Sequence, residues 1–198
     1  MTRKYELKRR AEHRERTRRR IIEATLELHG TVGPARTTIS AIAERAGVRR
    51  MTVYRHFPDE RALFEACTAH GYATYPPPDP TFWKGIADPE ERLRRGLGEL
   101  YAHYRLTGSM WVKFLRDADE IEVLAELGVA PYLEYLGKVR EVLAVGWGIR
   151  GDQRKRLIAA LGHALELQSW LSLTERQGLD DEQAVNFMVR MVRCVTHD

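Results

Sequence analysis

Cysteine is scarce in this chain of 198 residues: Cys67 and Cys194 are the only two, far apart and each set in an apolar helical pattern. Such a pair fits reduced core residues better than a disulfide framework. Long hydrophobic runs are also lacking. No apolar stretch approaches the ~20 residues that span a bilayer, and the first residues are basic rather than apolar. Neither a membrane span nor a secretory leader is expected, and the cytoplasm is the expected compartment. The patterns of catalysis are missing too, with no Gly-x-Ser-x-Gly elbow, no phosphate-cradling glycine loop and no Cys-x-x-Cys pair. Glu99 with His103, and His163 with Glu166, lie one helical turn apart, but such pairs arise by chance in polar helices. No catalytic residue, metal ligand or cofactor is expected. Convincing period-two alternation is absent as well, so the class is all-α.

Charge is present and unevenly placed. The net charge is +4, yet residues 1–75 carry 16 Lys+Arg against 9 Asp+Glu while the remainder carry 16 against 19. The first 20 residues alone hold 10 basic and 3 acidic side chains, which accounts for the whole basic excess. An arm of this kind neutralises phosphates or enters a minor groove, with steep salt dependence. The alternative is a solvated tail extending the first helix, in which Glu6, Glu12 and Glu15 pair with nearby arginines.

The stretch Thr37 to Leu63 reads as two short helices joined by a sharp turn. Thr38 caps the first, and Ile39, Ile42, Ala43 and Ala46 recur at helical spacing. Gly47 ends it, Val48 plugs the turn, and Val53 and Phe57, four apart, mark the buried face of the second helix. A small residue at the crossing, a glycine in the turn and a branched anchor are the requirements of a helix-turn-helix. The second helix then presents Arg50, Met51, Tyr54 and Arg55 outward as candidates for base-edge contact, arginine suiting guanine and methionine a thymine methyl. Arg36, just before the cap, is a candidate phosphate contact.

The run Thr38 to Phe57, with Ile42-Ala43, Ala46-Gly47-Val48, Thr52-Val53-Tyr54 and His56-Phe57, resembles the N-terminal domain of the TetR family of bacterial transcriptional regulators. The likeness reaches back to Thr17 and forward to about Phe64. It implies a three-helix helix-turn-helix DNA-binding domain followed by a helical ligand-binding and dimerisation domain. It further implies a homodimer through the last two helices, double-stranded DNA with a palindromic operator as partner, and release by a small-molecule ligand. Phosphate contact is implied at Thr17, Thr38, Thr52, Tyr54 and His56. Three positions depart from the pattern. Arg49 stands where a capping serine is frequent and adds positive charge near the groove. Glu60 stands where a lysine is frequent and removes one. His29 replaces an aromatic, a change expected to loosen the end of the first helix.

The organisation expected is a basic arm over 1–16, the DNA-binding domain over 17–75 and the ligand-binding and dimerisation domain over 76–198. The proline run of Tyr75 to Pro80 marks the boundary. Predicted helices follow: 88–106 with Leu93, Leu97, Leu100, Tyr101 and Tyr104 inward; one capped by Ser109; 119–127; 131–145; 152–176; and 180–196. Tyr101, His103, Tyr104, Trp111, Phe114, Trp147, Gln168 and Trp170 are the candidate ligand contacts, since pockets are apolar with a few polar groups that orient the guest. Simple core packing is the competing role for those aromatics. Two other readings stay open: a ligand-independent or architectural DNA-binding protein, and an all-α metal-binding protein or enzyme.

Overall fold

The structure, a computed structural model, describes residues 2–197, with side chains from Tyr5 to Thr196. Among these residues the regular elements are helical and no strand occurs. The chain divides into two compact units, one of residues 1–76 and 109–130, the other of residues 77–108 and 131–198.

In the first unit, α1 (Thr2–Thr31) is a single helix that includes the basic arm. Thr17, the expected start of the DNA-binding domain, therefore lies mid-helix, and its hydroxyl donates to the His13 carbonyl at 3.0 Å. The reason is local, because residues 2–16 contain neither proline nor glycine and are rich in Glu, Lys and Arg, which are good helix formers. His29 does not loosen the helix end either. It is 3% exposed, with ring centroids 5.1 Å from Phe64 and 6.0 Å from Phe114, and α1 continues past it to Thr31. The exit comes at Gly33, whose φ of +96° favours glycine.

The next helices are α2 (Ile39–Arg45), α3 (Arg50–His56) and α4 (Glu60–Thr74). Thr38 caps α2 by accepting from Ala41 N at 3.1 Å, and Asp59 caps α4 by accepting from Ala62 N at 2.8 Å. Between α2 and α3, Gly47 takes φ +63°. Val48 N then donates to Ala43 O at 2.9 Å and Gly47 N to Glu44 O at 3.0 Å, the paired bonds of a Schellman ending. Ile21, Ile42, Ala43, Val53 and Phe57 form the core that fixes these helices. Burying Val53 and Phe57 contributes about 1.5–3 kcal/mol each.

The helix α5 (Pro89–Asp117) is unbroken where a new one capped by Ser109 is expected. Gly108 is tolerated inside it because a Cβ there would come within 3.1 Å of Trp170, so close packing repays the helical cost. Residues 109–130 belong to the first unit. They comprise the end of α5, then α6 (Glu122–Leu124) and a π-helical turn (Ala125–Val129) leading into α7 (Ala130–Leu143). In that unit Trp111 packs edge-on to Phe114, and Glu126 receives Arg61 through two bonds of 2.8 and 2.6 Å.

The second unit is built on the first part of α5, whose Leu93, Leu97, Leu100, Tyr101 and Tyr104 are fully buried as the periodicity predicts. Around it stand α8 (Gly151–Leu165), α9 (Leu167–Leu171) and α10 (Asp181–His197). The helix predicted over 152–176 is thus broken at Glu166, which is extended (φ −68°, ψ 133°). The carbonyls that the break frees find side-chain donors: Ala164 O accepts from the Tyr101 hydroxyl at 2.9 Å and Leu165 O from Tyr104 at 2.6 Å. Arg92, 4% exposed, ties two loops together by donating to Ile86 O at 2.6 Å and to Val145 O. Cys67 is buried, but Cys194, expected in the core, is exposed because Val185, Met188, Val189 and Val192 take the inward face of α10.

Candidate nucleic-acid interface

Helix α3 is held from behind and open in front. Val53 is 0% and Phe57 3% exposed, whereas Met51 is 74% and Tyr54 42% exposed, with Arg50 and Arg55 also exposed on the outward face. Four side chains of the kinds that read base edges are therefore solvent-exposed on a seven-residue helix fixed by its core anchors. Arg36 is exposed in a 3-10 turn (Pro34–Arg36). Thr38 is exposed at the start of α2, although its hydroxyl is already engaged as the cap.

Thr17, Arg49, Thr52, Arg55 and His56 meet along one cleft of about 1130 Å³, and the opposite wall is the N-terminal half of α1. Sequence reasoning counted the charge of that arm but missed its facing. Arg9, Arg10, His13 and Arg14 recur at helical spacing ahead of Thr17 and Arg20, so one stripe of α1 looks at α3. Two contacts fix the wall. Arg20 donates to the carbonyls of Ala46 and Gly47 in the turn, and the Arg18 guanidinium lies 5.0 Å from the Phe57 ring centre. The positive field is felt within the cleft. His56 is held below the usual histidine range by partial burial and then by Arg55, Arg14 and Arg18, against a smaller opposite pull from Glu15.

The candidate ligand residues fall into two groups. Trp111 and Phe114 lie in the first unit, while Tyr101, His103, Tyr104, Trp147, Gln168 and Trp170 lie in the second. Within the second unit Tyr101, Tyr104 and Trp170 do come together, with the Tyr104 and Trp170 rings 5.9 Å apart and Tyr132, outside the candidate set, donating to the Tyr104 hydroxyl at 2.8 Å. Their polar ends are already engaged. Besides the tyrosine bonds to Ala164 O and Leu165 O, Trp170 Nε1 donates to Asp181 at 2.9 Å, and Trp147 Nε1 to Leu143 O at 2.9 Å. Gln168 is exposed beside a crevice of about 220 Å³ that includes His163, Phe187 and Met191. His103 is half-buried and its basicity is lowered by burial.

Both acid–histidine pairs lie in the second unit. Glu99 accepts from Trp83 Nε1 at 3.0 Å and from Arg95. At His163 the Ser169 hydroxyl lies 3.2 Å from Nδ1 and 3.4 Å from Nε2, and Glu166 approaches Nδ1 at 4.0 Å. Among the described residues no group of three or more His, Cys, Asp or Glu is placed to hold a metal.

The comparisons with known proteins agree with this geometry. Residues 21–67 match the family model described as "Bacterial regulatory proteins, tetR family". The N-terminal region of the chain is thus a TetR-family helix-turn-helix domain, and the whole chain has the fold of TetR-like regulators. A TetR-like transcriptional regulator from Rhodococcus sp. RHA1 is similar with a TM-score of 0.65 at 15% identity, covering 92% of this chain and 97% of the other. A putative fatty acid metabolism regulator from Clostridium perfringens gives 0.64 at 18% identity, covering 87% and 96%. The structure of AibR in complex with isovaleryl coenzyme A and operator DNA gives 0.63 at 22% identity, covering 88% and 97%. No curated protein matches the chain. Among the described residues no helix is long and apolar enough to cross a membrane.

Proposed function

We propose that this protein is a cytoplasmic, dimeric transcriptional repressor that binds a palindromic operator and leaves it when a small molecule occupies the helical second unit. The observation that carries the reading is the outward face of α3, where Arg50, Met51, Tyr54 and Arg55 stand exposed on a helix anchored by Val53 and Phe57. Arg36, Thr38, Arg49, Thr52 and His56 serve as phosphate contacts around that face and fix its register. A structural relative holding both an acyl-CoA and operator DNA supports coupling of the two kinds of ligand.

Dimerisation through α8 and α10 supplies the two-fold symmetry that a palindrome requires. Phe187, 50% exposed on α10, and the neighbouring Met191 give that helix an apolar outer patch. Release then requires that the ligand favour a dimer whose two recognition helices no longer match the ~34 Å between successive major grooves. His103, half-buried against Tyr104, is the side chain best suited to orient a guest. No enzymatic turnover is assigned.

Sedimentation of the purified protein with a tight-binding duplex tests the reading. Two protomers per duplex, already paired in free solution, are expected. A one-to-one complex of a monomer would contradict it.

A further inference from the structure

The basic arm is a wall of the DNA-facing cleft, and its geometry assigns it a more definite task than that of a charged tail. Helix α1 is continuous from Thr2 to Thr31, so the arm is an extension of a helix whose other end lies in the core of the first unit. The stripe from Arg9 to Arg20 runs about 16 Å along the helix, close to the axial length of five nucleotides of one strand at about 3.4 Å each. Across from it stand Arg49 and Arg55. Glu6 is the one acid on the described walls, so the fold brings like charges face to face with almost nothing between to neutralise them. Such an arrangement costs energy unless an anion lies in the cleft. A helix 10–12 Å across does not fit a minor groove about 6 Å wide, so insertion there as an extended arm is not what this geometry provides.

We propose that the N-terminal half of α1 and the recognition helix α3 are two jaws of a rigid clamp that holds one sugar-phosphate strand of duplex DNA. The inference rests on the DNA-binding reading above and adds to it that the arm acts through its helical rigidity as well as its charge. In the clamp, Arg9, Arg10 and Arg14 hold phosphates from one side while α3 enters the major groove on the other. The field that disfavours a proton on His56 is relieved when the strand is seated.

The test separates charge from rigidity. The logarithm of the binding constant is measured against the logarithm of salt concentration for the full-length protein, on a selected duplex and on one of random sequence. In Arg9→Gln/Arg10→Gln/Arg14→Gln three cations are lost from each protomer, and the slope should become shallower by about 2 to 3 per protomer bound, on both duplexes, at roughly 0.9 per phosphate released. In Ala11→Pro no cation is lost but the helix is broken within the arm. A slope reduced nearly as far is expected there, with Ala11→Leu behaving as wild type. An Ala11→Pro slope equal to wild type would overturn the clamp in favour of a flexible charged arm. An unchanged slope in the triple variant would remove the arm from the interface altogether. Because the slope is read on random duplex too, failure of the clamp is distinguishable from failure of operator recognition; absence of any DNA binding would overturn both.

Discussion

The carboxylate of Asp117 accepts the backbone N–H of Ala35 at 3.0 Å, joining positions 82 residues apart in the chain. Asp117 is 4% exposed and also pairs with Arg116, whose Nε lies 2.6 Å from it. The acid thereby fastens the turn between α1 and α2 to the end of α5. Gly33 leaves room for this, since a Cβ there would fall 2.7 Å from Asp117 Oδ2. Asp117→Ala leaves the Ala35 N–H unpaired and should cost about 1–3 kcal/mol in denaturant unfolding. Arg116 and then the Ala35 N–H hold the carboxyl below its usual range. Its contribution is therefore complete above the unfolded value of about 3.9 and is lost as pH falls through the lower folded value. An Asp117→Ala protein as stable as wild type at pH 7 would remove this link from the account.

His29 gives the first unit a second, separate dependence on pH. Burial lowers it from 6.5 to about 4, against a weaker opposite pull from Asp117. The unfolded chain binds the proton first, so stability is full above about 6.5 and declines as pH falls toward 4. The decline is on the order of 3 kcal/mol at about 1.4 kcal/mol per pH unit. His29→Phe should flatten that window in unfolding curves recorded from pH 7 to 4.5. A variant with the wild-type slope would show that another group is responsible.

Gly47 cannot be replaced without strain. Its φ of +63° costs a side-chain-bearing residue about 1–2 kcal/mol, and a Cβ would stand 2.8 Å from the Arg20 guanidinium that holds the turn. Gly47→Ala should lower Tm by about 2–8 °C and weaken DNA binding through displacement of α3. Wild-type Tm and affinity together would contradict the role given to the turn.

Arg50→Ala and Tyr54→Ala touch only the outward face of α3 and should leave Tm unchanged. Each is expected to reduce the preference for specific over random duplex by about 5- to 150-fold, the equivalent of about 1–3 kcal/mol. Equal losses on both duplexes would reassign these residues to phosphate contact.

Much of the first unit was legible in the sequence because its constraints are local. The Thr38 cap, the Gly47 turn and the Val53/Phe57 anchors each depend on residues within a few positions of one another, and each stands where the pattern places it. What escaped the sequence depends on distant partners. Nothing near Ser109 shows that Gly108 packs on Trp170 and lets α5 run through, and nothing near Glu166 shows that Tyr101 and Tyr104 take the carbonyls its break exposes. Asp117 reads as an ordinary helix-end acid until Ala35 is beside it. The facing of Arg9, Arg10, His13 and Arg14 was available in principle from their spacing, once the arm is treated as part of α1. The aromatic content of the second unit was plain, but composition does not reveal that several of those side chains satisfy backbone groups.

Selection of bound sequences from a random duplex pool at near-physiological salt tests the central claim most directly, because non-specific phosphate attraction is weak there. Enrichment of a palindrome with half-sites about one helical turn, ~34 Å, apart is the expected result. Tight binding at low salt with no sequence enriched would contradict operator recognition and leave a protein that holds DNA by charge alone.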